Sequence, residues 1–221
     1  MSIRNTIAVK CPACGQNSIV PVWRSINAQF DLERKKQLLD GTLFQHICPR
    51  CGDTIRLDYE CRYHDMNHRA VVHYVRSEKS ARNIFKAASD FRLDTESAGA
   101  DTGKSKPHYR ERVVKSQNAL REKAIIFNQG LDDRIVEVMK AIVIQQRYAS
   151  CYDLDGCEVL FAVDQNGDPR LEFYTDNPFA VYVDKGLYPE LESCLSGILS
   201  KETGEPYEIG LSWAQRLISA N

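Results

Sequence analysis

The sequence lacks any long hydrophobic run. No segment approaches the roughly 18 to 20 apolar residues that cross a bilayer. The first residues, MSIRNTIAVKCPACG, also lack the apolar stretch of a secretory signal. With 221 residues and 43% hydrophobic content, the chain is long enough for one sizeable core or two small ones. We therefore expect a globular protein of the cytoplasm that does not associate with membranes.

The sequence has no large net charge, but its charges are unevenly distributed. The formal net charge is -1. Residues 1–74 carry 10 Lys and Arg against 7 Asp and Glu, residues 75–123 carry 12 against 7, and residues 124–221 carry 7 against 16. The amino-terminal part is mildly basic and the carboxy-terminal part is acidic.

Cysteine is plentiful for a cytoplasmic protein. In a reducing compartment disulfides rarely persist, so eight cysteines favour metal binding over four disulfides. Four of them form two near-identical words, CPACG at 11–15 and CPRCG at 48–52, separated by residues 15–47 between the second and third cysteine. The other four, which lack paired spacing, are predicted to be small buried or half-buried hydrophobic residues: Cys61, Cys151, Cys157 and Cys194.

Each Cys-Pro-x-Cys-Gly word suits a zinc knuckle. Proline fixes φ for a tight turn, glycine accepts positive φ, and two such pairs supply the four sulfurs that tetrahedral zinc prefers. The predicted ligands are Cys11, Cys14, Cys48 and Cys51. Because such a site leaves no open coordination position, we expect it to be structural and not catalytic. A redox dithiol and incidental pairs are the alternatives, and four cysteine sulfurs would also suit a rubredoxin-like iron centre.

The remaining pattern predicts an α+β protein. Its first part, residues 1–93, is predicted to be a zinc-ribbon-like β domain with an inserted helix in DLERKKQLLDG, capped by Asp31 and stopped by Gly41. Residues 94–108 contain no Leu, Ile, Val or Phe and are predicted to be a flexible linker or loop. A helical segment over 109–150 and an acidic α+β lobe over 151–221 follow, with a hairpin turn at Asn166-Gly167.

Three further groups of residues are weaker candidates for chemistry. His64, His68 and His73 with Asp65 suggest an acid/base or second metal site, although a hydrogen-bonded histidine that supports the zinc domain is the favoured interpretation. Asp132 and Asp133 suggest acid/base chemistry, but acids at a helix start have an ordinary structural role. Seven basic residues between 104 and 123 suggest phosphate binding, against the plainer interpretation of a solvated charged face.

Several segments carry a resemblance to a known family: the two cysteine words, GTLFQHICPRCG, YECRYHD and LREKAIIFNQGLDDRIVEVMK. Together they resemble the bacterial and archaeal CpXC domain family, over roughly residues 8–140. The resemblance implies a zinc-binding domain of undetermined biochemical function. The resemblance implies metal ligands only at the four cysteines of the two words. It leaves residues 141–221 unexplained.

From these observations we predict a zinc-binding protein whose structural four-cysteine site supports an interaction or scaffold module. Its partner would be another protein or a second copy of the chain. The alternatives are a nucleic-acid-binding zinc-ribbon protein and, less favoured, an enzyme with a site near His64 and Asp65 or near Asp132 and Asp133.

Overall fold

The computed structural model describes residues 2–97, 109–147, 157–200 and 207–220. The chain divides into two compact units, Met1–Leu120 and Arg121–Asn221. Among the described residues, no helix is both long enough and apolar enough to cross a membrane.

The first unit contains a five-stranded mixed sheet in the order β1-β2-β5-β6-β7. Its neighbours pair antiparallel except for β2 with β5 and β6 with β7, which are parallel. The strands are β1 (Ile3–Lys10), β2 (Asn17–Asn27), β5 (Cys61–Asp65), β6 (Ala70–Tyr74) and β7 (Arg110–Val114). The first of these, β1, forms one edge of the sheet.

Each parallel pair requires a crossover connection, because the chain must return to the same end of the sheet. Between β2 and β5 the chain forms helix α1 (Leu32–Asp40) and a separate hairpin of β3 (Gln45–Ile47) and β4 (Thr54–Arg56). Between β6 and β7 it forms helix α2 (Glu78–Ser97). The first crossover therefore carries the second cysteine word.

The ends of α1 confirm the predicted caps. Asp31 accepts a hydrogen bond from the Arg34 backbone N–H, and Gly41 adopts a left-handed φ of 84°. The helix buries Leu38, which is 1% exposed, in the core of the first unit. The members of that core from the sheet include Val20, Val22, Ile26, Tyr63 and Val72.

The second unit combines helices with a three-stranded antiparallel sheet in the order β10-β9-β8. The sheet contains β8 (Glu158–Val163), β9 (Pro169–Tyr174) and β10 (Phe179–Tyr182). The Asn166-Gly167 hairpin is confirmed, since β8 pairs with β9 and Gly167 has a φ of +83°. The helices are α3 (Gln117–Asn128), most of which lies in this unit, α4 (Asp133–Arg147), α5 (Leu187–Leu199) and α6 (Leu211–Ala220).

An apolar cluster joins three of these helices. Trp213 and Ala214 of α6 pack with Ile135 and Val138 of α4 and with Leu199 at the end of α5. All five are less than 10% exposed, so this cluster is the core of the helical side of the second unit.

A network of buried charges lies between α3 and α4. Lys123 Nζ is 3.0 Å from both Asp133 Oδ2 and Glu137 Oε1, and Lys140 Nζ is 2.8 Å from Glu122 Oε1 and 2.9 Å from Glu137 Oε2. These five side chains are at most 4% exposed. Glu122 also accepts a hydrogen bond of 2.6 Å from the backbone N–H of Phe161 in β8.

Opposite charges in this network favour the ionised forms of both lysines and of Glu137. Burial opposes the charge on Lys140, but Glu122 and Glu137 outweigh it and raise the pKa of the lysine. Burial likewise opposes the charge on Glu137, but the two lysines lower its pKa. The pKa of Glu122 is raised, with burial as the main cause. Breaking one pair therefore leaves a charge in the core that water cannot reach.

The α+β class predicted from the sequence is confirmed, with one correction to the elements. The helical segment predicted over 109–150 is wrong for its first residues, because Arg110–Val114 form β7, where Val113 and Val114 are buried beside β6. Two adjacent β-branched residues fit a pleated strand at least as well as a helix. Residues 94–97 of the predicted linker belong to α2, and residues 98–108 lie outside the described residues.

Replacing Lys140 with methionine tests the buried network. Lys140→Met keeps the volume but leaves Glu122 and Glu137 with one cation fewer, so we expect a loss of about 3 to 5 kcal/mol in the free energy of unfolding. Denaturant unfolding followed by the fluorescence of Trp213, in a Trp23→Phe background, measures the second unit alone.

The matched control is Lys185→Met, which breaks an ion pair with Asp168 whose lysine is 72% exposed. Exposed pairs contribute little to stability, so the control should unfold like the parent. Equal effects of the two substitutions would contradict a stabilising role for the buried network.

Candidate metal centre

Each cysteine word forms the turn of an antiparallel hairpin. The first word connects β1 to β2, where Lys10 pairs with Asn17, and the second connects β3 to β4, where Ile47 pairs with Thr54. Both hairpins place a cysteine as the first residue after a strand. The predicted strand-turn arrangement is therefore present in both words.

The two turns have the same backbone hydrogen bonds. In the first, the Cys11 N–H donates to the Gln16 carbonyl at 2.8 Å and the Gly15 N–H donates to the Cys11 carbonyl at 2.9 Å. In the second, the Cys48 N–H donates to Asp53 at 2.8 Å and the Gly52 N–H donates to Cys48 at 2.9 Å. The two glycines have φ values of +73° and +76°. This is the left-handed conformation that favours glycine at the end of each word.

The fold brings the four sulfurs of the two words together. The Sγ atoms of Cys11 and Cys51 are 3.7 Å apart, and those of Cys14 and Cys48 are 3.6 Å apart. All four lie within 4.8 Å of one another. A tetrahedral ion with metal-sulfur bonds of about 2.3 Å holds its sulfurs about 3.8 Å apart, whereas a disulfide needs about 2.05 Å. The cluster could thus hold a metal ion.

The electrostatics of the cluster favour a cation. Backbone hydrogen bonds from Cys51 and Arg50 lower the pKa of Cys48 to about 6. The backbone of Gln16 lowers the pKa of Cys14, but desolvation and the neighbouring sulfurs outweigh it and raise that pKa to about 12. The pKa values of these neighbouring thiols are thus shifted in opposite directions. A bound cation would remove this conflict by compensating all four thiolates.

Burial within the cluster is uneven. Cys11 and Cys48 are 2% and 1% exposed, Cys14 is half-buried and Cys51 is exposed. The first cysteine of each word therefore faces the protein, and the second lies nearer the surface. Four cysteine donors fill a tetrahedron, which leaves no position for a substrate or an attacking water.

Of the three basic residues near the words, two lie beside the cluster. Arg50 Nη1 contacts the Cys14 carbonyl at 3.5 Å, and Lys10 Cε lies 3.9 Å from the position that a Cβ on Gly15 would take. Arg56 instead donates to the side chains of Gln117 and Asn118, at 3.1 Å each. The Arg56 side chain is therefore engaged by residues outside the cluster.

The other cysteines stand apart from the cluster. Cys61 is buried in β5, where burial raises its thiol pKa to about 12, and Cys157 is half-buried. Cys194 is exposed on α5, so the prediction of burial is wrong there. Cys151 lies outside the described residues.

Asp65 lies at the centre of a hydrogen-bonded turn. Its carboxylate is fully buried and accepts hydrogen bonds from Gln29 Nε2 at 2.7 Å, Tyr63 Oη at 3.1 Å and the His68 backbone N–H at 3.1 Å. His68 Nδ1 lies 2.9 Å from Asp65 Oδ2, the oxygen that also accepts from Tyr63. Burial raises the pKa of Asp65, but the hydrogen bonds from His68 and Gln29 outweigh it and lower that pKa overall. The carboxylate thus closes the β5–β6 turn and ties it to the end of β2.

The predicted histidine site is not assembled. His64 lies on β5 with its ring 5.3 Å from that of Tyr109, His68 lies in the turn, and His73 lies on β6. Within the described residues, no second group of three or more potential ligands comes together. The hydrogen bond between His68 and Asp65 agrees with the favoured interpretation, and the support of a zinc domain by a histidine stays a prediction.

Asp132 and Asp133 have the structural roles expected at a helix start. The Asp132 carboxylate accepts from the Arg134 backbone N–H at 2.9 Å and pairs with the Arg134 guanidinium at 2.7 Å. Asp133 is buried against Lys123. Both carboxylates are thus paired with neighbouring cations.

The basic stretch from 104 to 123 is not one charged face. Arg112 and Lys123 are buried, Lys115 pairs with Glu78 at 2.6 Å, and Arg110 donates to the His68 carbonyl at 3.3 Å. Lys104 and Lys106 lie outside the described residues. The burial of two of these cations weakens the case for phosphate binding that the sequence suggested.

Sequence reasoning missed the partners of Asp65 and the buried network of the second unit. Gln29 is 36 residues from Asp65, and no local pattern links the two. Glu137 and Lys140 are spaced as on an ordinary solvated helix face, so their spacing does not indicate burial. The one indication in the sequence is that charged residues occur among the apolar positions of α3 and α4.

His73 provides a test of burial in the central sheet. Burial and the nearby charge of Arg62 lower its pKa to about 4, against about 6.5 in an unfolded chain. The unfolded state therefore binds more protons between these pH values, and stability should fall as the pH is lowered from about 6.5 to 4. The loss attributable to His73 would be on the order of 3 kcal/mol.

An NMR titration of the imidazole measures this directly. The His73 ring should stay neutral down to about pH 4.5, and His73→Gln should reduce the slope of stability against pH in this window. A ring that titrates near 6.5 in the folded protein would contradict the burial.

Comparison with known proteins bears on the first unit and the start of the second. The family model described as CpXC protein matches residues 9–140, which include all four clustered cysteines. No curated protein and no solved structure matches the chain. Because the family model covers more than half of the chain, this protein belongs to the CpXC family.

Proposed function

We propose that this protein is a zinc-binding interaction module in which one ion, held by Cys11, Cys14, Cys48 and Cys51, has a structural role. The observation that carries the proposal is the separation of the sulfurs. At 3.6 and 3.7 Å, the two closest pairs are nearly as far apart as the ligands of a zinc tetrahedron and too far apart for disulfides.

Zinc is the preferred ion because it is tetrahedral and redox-inert, and because closed four-cysteine sites typically hold it. Iron is the alternative, since four thiolates also suit a mononuclear iron centre. The two ions differ in colour and in elemental analysis, so the choice is open to direct measurement.

The structural role follows from where the two words lie. Cys11 and Cys14 belong to the edge of the main sheet, whereas Cys48 and Cys51 belong to the small hairpin inside the first crossover. That hairpin has only three residues in each strand, and an isolated pair of this size is marginal in water. A metal bonded to both words would attach the hairpin to the sheet, and the binding energy would contribute to folding.

The interaction role is supported by the surface around the two words. Ile19 on β2 and Ile47 on β3 are 79% and 66% exposed, each on a strand that borders a cysteine word. The edge strand β1, which leads into Cys11, carries the half-exposed Ile3. Edge strands and exposed aliphatic residues favour pairing with another chain, and a second copy of this protein is the partner that can be tested first.

Purified protein should contain about one zinc ion per chain, because the four sulfurs form one tetrahedral site. Elemental analysis measures the ratio. Cys48→Ser should lower the zinc affinity by more than about 100-fold, since even changes outside the ligand shell cost roughly 10- to 100-fold. Removing the ion with a chelator should lower the unfolding temperature of the first unit.

The matched control for Cys48→Ser is Cys194→Ser, at an exposed cysteine of α5 outside the cluster. It should leave both metal content and stability unchanged. One iron per chain would replace zinc by iron in the proposal, and a fully folded protein free of metal would overturn it.

Self-association through the exposed apolar residues can be measured by sedimentation velocity. If the surface beside the words joins two copies, the zinc-loaded protein should sediment as a dimer at micromolar concentration, and Ile19→Ser with Ile47→Ser should shift it to a monomer. The matched control is Ile218→Ser on α6, an exposed isoleucine of the second unit. A parent protein that is monomeric at all concentrations would exclude the second copy as the partner.

A further inference from the structure

The second unit contains a surface cavity that has no connection with the cysteine cluster. Its volume is about 350 Å³, within the range of roughly 300 to 1,000 Å³ that is typical of small-molecule pockets. Three parts of the unit line it: the segment between α3 and α4, the turn between β8 and β9, and the segment that leads into α5. All of these belong to residues 121–221.

The lining of the cavity is apolar at its base. Met139 of α4 and Phe161 of β8 are 1% and 2% exposed, so the parts of the wall that they form lie deep in the unit. Leu131, Val163 and Pro189 continue the apolar wall. A hydrocarbon or aromatic group bound here would be shielded from water on several sides at once. This burial of apolar surface favours its binding.

The charged side chains of the lining lie at its exposed rim. Asp184 and Lys185 are exposed, and Asp168 is 36% exposed and paired with Lys185. Two carboxylates and one ammonium give the rim a net charge of -1. The surrounding sequence has the same sign, with 16 acidic against 7 basic residues in 124–221. The field at the rim therefore favours a cation over an anion.

Asp184 is held in place at this rim. Its Oδ1 accepts a hydrogen bond of 2.7 Å from the Gly186 backbone N–H. A Cβ on Gly186 would lie 3.0 Å from the same oxygen, so the absence of a side chain there permits the close approach. A carboxylate fixed in this way needs little further ordering when a ligand arrives.

The start of α5 is the feature that would favour an anion instead, because a helix N-terminus carries partial positive charge. Asp184 already places its carboxylate on the Gly186 N–H at that end, and Lys185 is already paired with Asp168. The positive groups near the cavity are thus compensated by side chains of the protein itself.

We propose that this cavity binds a small organic cation: an apolar or aromatic body that contacts Met139 and Phe161, with one ammonium group directed at Asp184. This function is independent of the metal site and does not rest on the zinc proposal. The polar rim selects the charge of the ligand, and the apolar base contributes the affinity.

Three probes with the same phenyl body test the inference on the full-length protein: 2-phenylethylamine, which is charged at pH 7, 2-phenylethanol, which is neutral, and 3-phenylpropionate, which is an anion. Each is titrated into ¹⁵N-labelled protein and followed by backbone amide shifts. The amine should bind with a Kd on the order of 1 mM, as suits a ligand of about nine non-hydrogen atoms. Its shifts should centre on Gln129, Gly167 and Lys185.

The neutral alcohol should bind about two- to fivefold more weakly at the same residues, because it lacks the ion pair with the exposed Asp184, and the anion should not shift them. Asp184→Asn keeps an acceptor for the Gly186 N–H but removes the charge. This substitution should lower the affinity for the amine to that for the alcohol and leave the affinity for the alcohol unchanged. Asp176→Asn, at an exposed acid outside the cavity, is the matched control and should change neither.

A second variant keeps the test sharp if the charge effect is small. Val163→Phe places a ring at the half-buried wall and should abolish the shifts from both the amine and the alcohol, while the rest of the amide spectrum shows an intact fold. Equal or tighter binding of 3-phenylpropionate would overturn the choice of a cation. The absence of localised shifts with all three probes, or shifts that survive Val163→Phe, would overturn the site.

Discussion

The four cysteine sulfurs of the first unit lie within 4.8 Å of one another, and two pairs are separated by only 3.6 and 3.7 Å. Four thiolates at these distances would repel one another strongly without a cation among them. The sulfurs come from two hairpins whose cysteines are 34 to 40 residues apart in the chain. One hairpin is part of the main sheet, and the other is a small pair within the first crossover. A metal bound by both words would join these two hairpins.

The backbone prepares the ligands before any ion is bound. Both turns use the same pair of backbone hydrogen bonds and the same left-handed glycine. Backbone hydrogen bonds lower the pKa of Cys48, while desolvation and the neighbouring sulfurs raise that of Cys14. A cation bound among the four sulfurs would favour the thiolate form of each.

The second unit meets the problem of buried charge in another way. Its lysines and carboxylates between α3 and α4 compensate one another directly, and the backbone of β8 contributes one donor to Glu122. Such a network adds little stability compared with apolar packing, but it penalises any arrangement that separates a pair. It thus restricts how α3 and α4 can pack, whereas the apolar cluster around Trp213 contributes the burial energy.

The turns of the two cysteine words could be predicted from the sequence because each word is a short contiguous motif. Proline, cysteine and glycine within five residues specify a turn and place two sulfur atoms on it. The caps of α1 and the Asn166-Gly167 hairpin were predicted for the same reason. Other features were decided only in the tertiary structure: the pairing of Asp65 with Gln29, the burial of Glu137 and Lys140, the contacts of Arg56 and the cavity of the second unit. Each depends on residues that are distant in the chain, and a charged side chain looks the same in sequence whether it faces water or a buried partner.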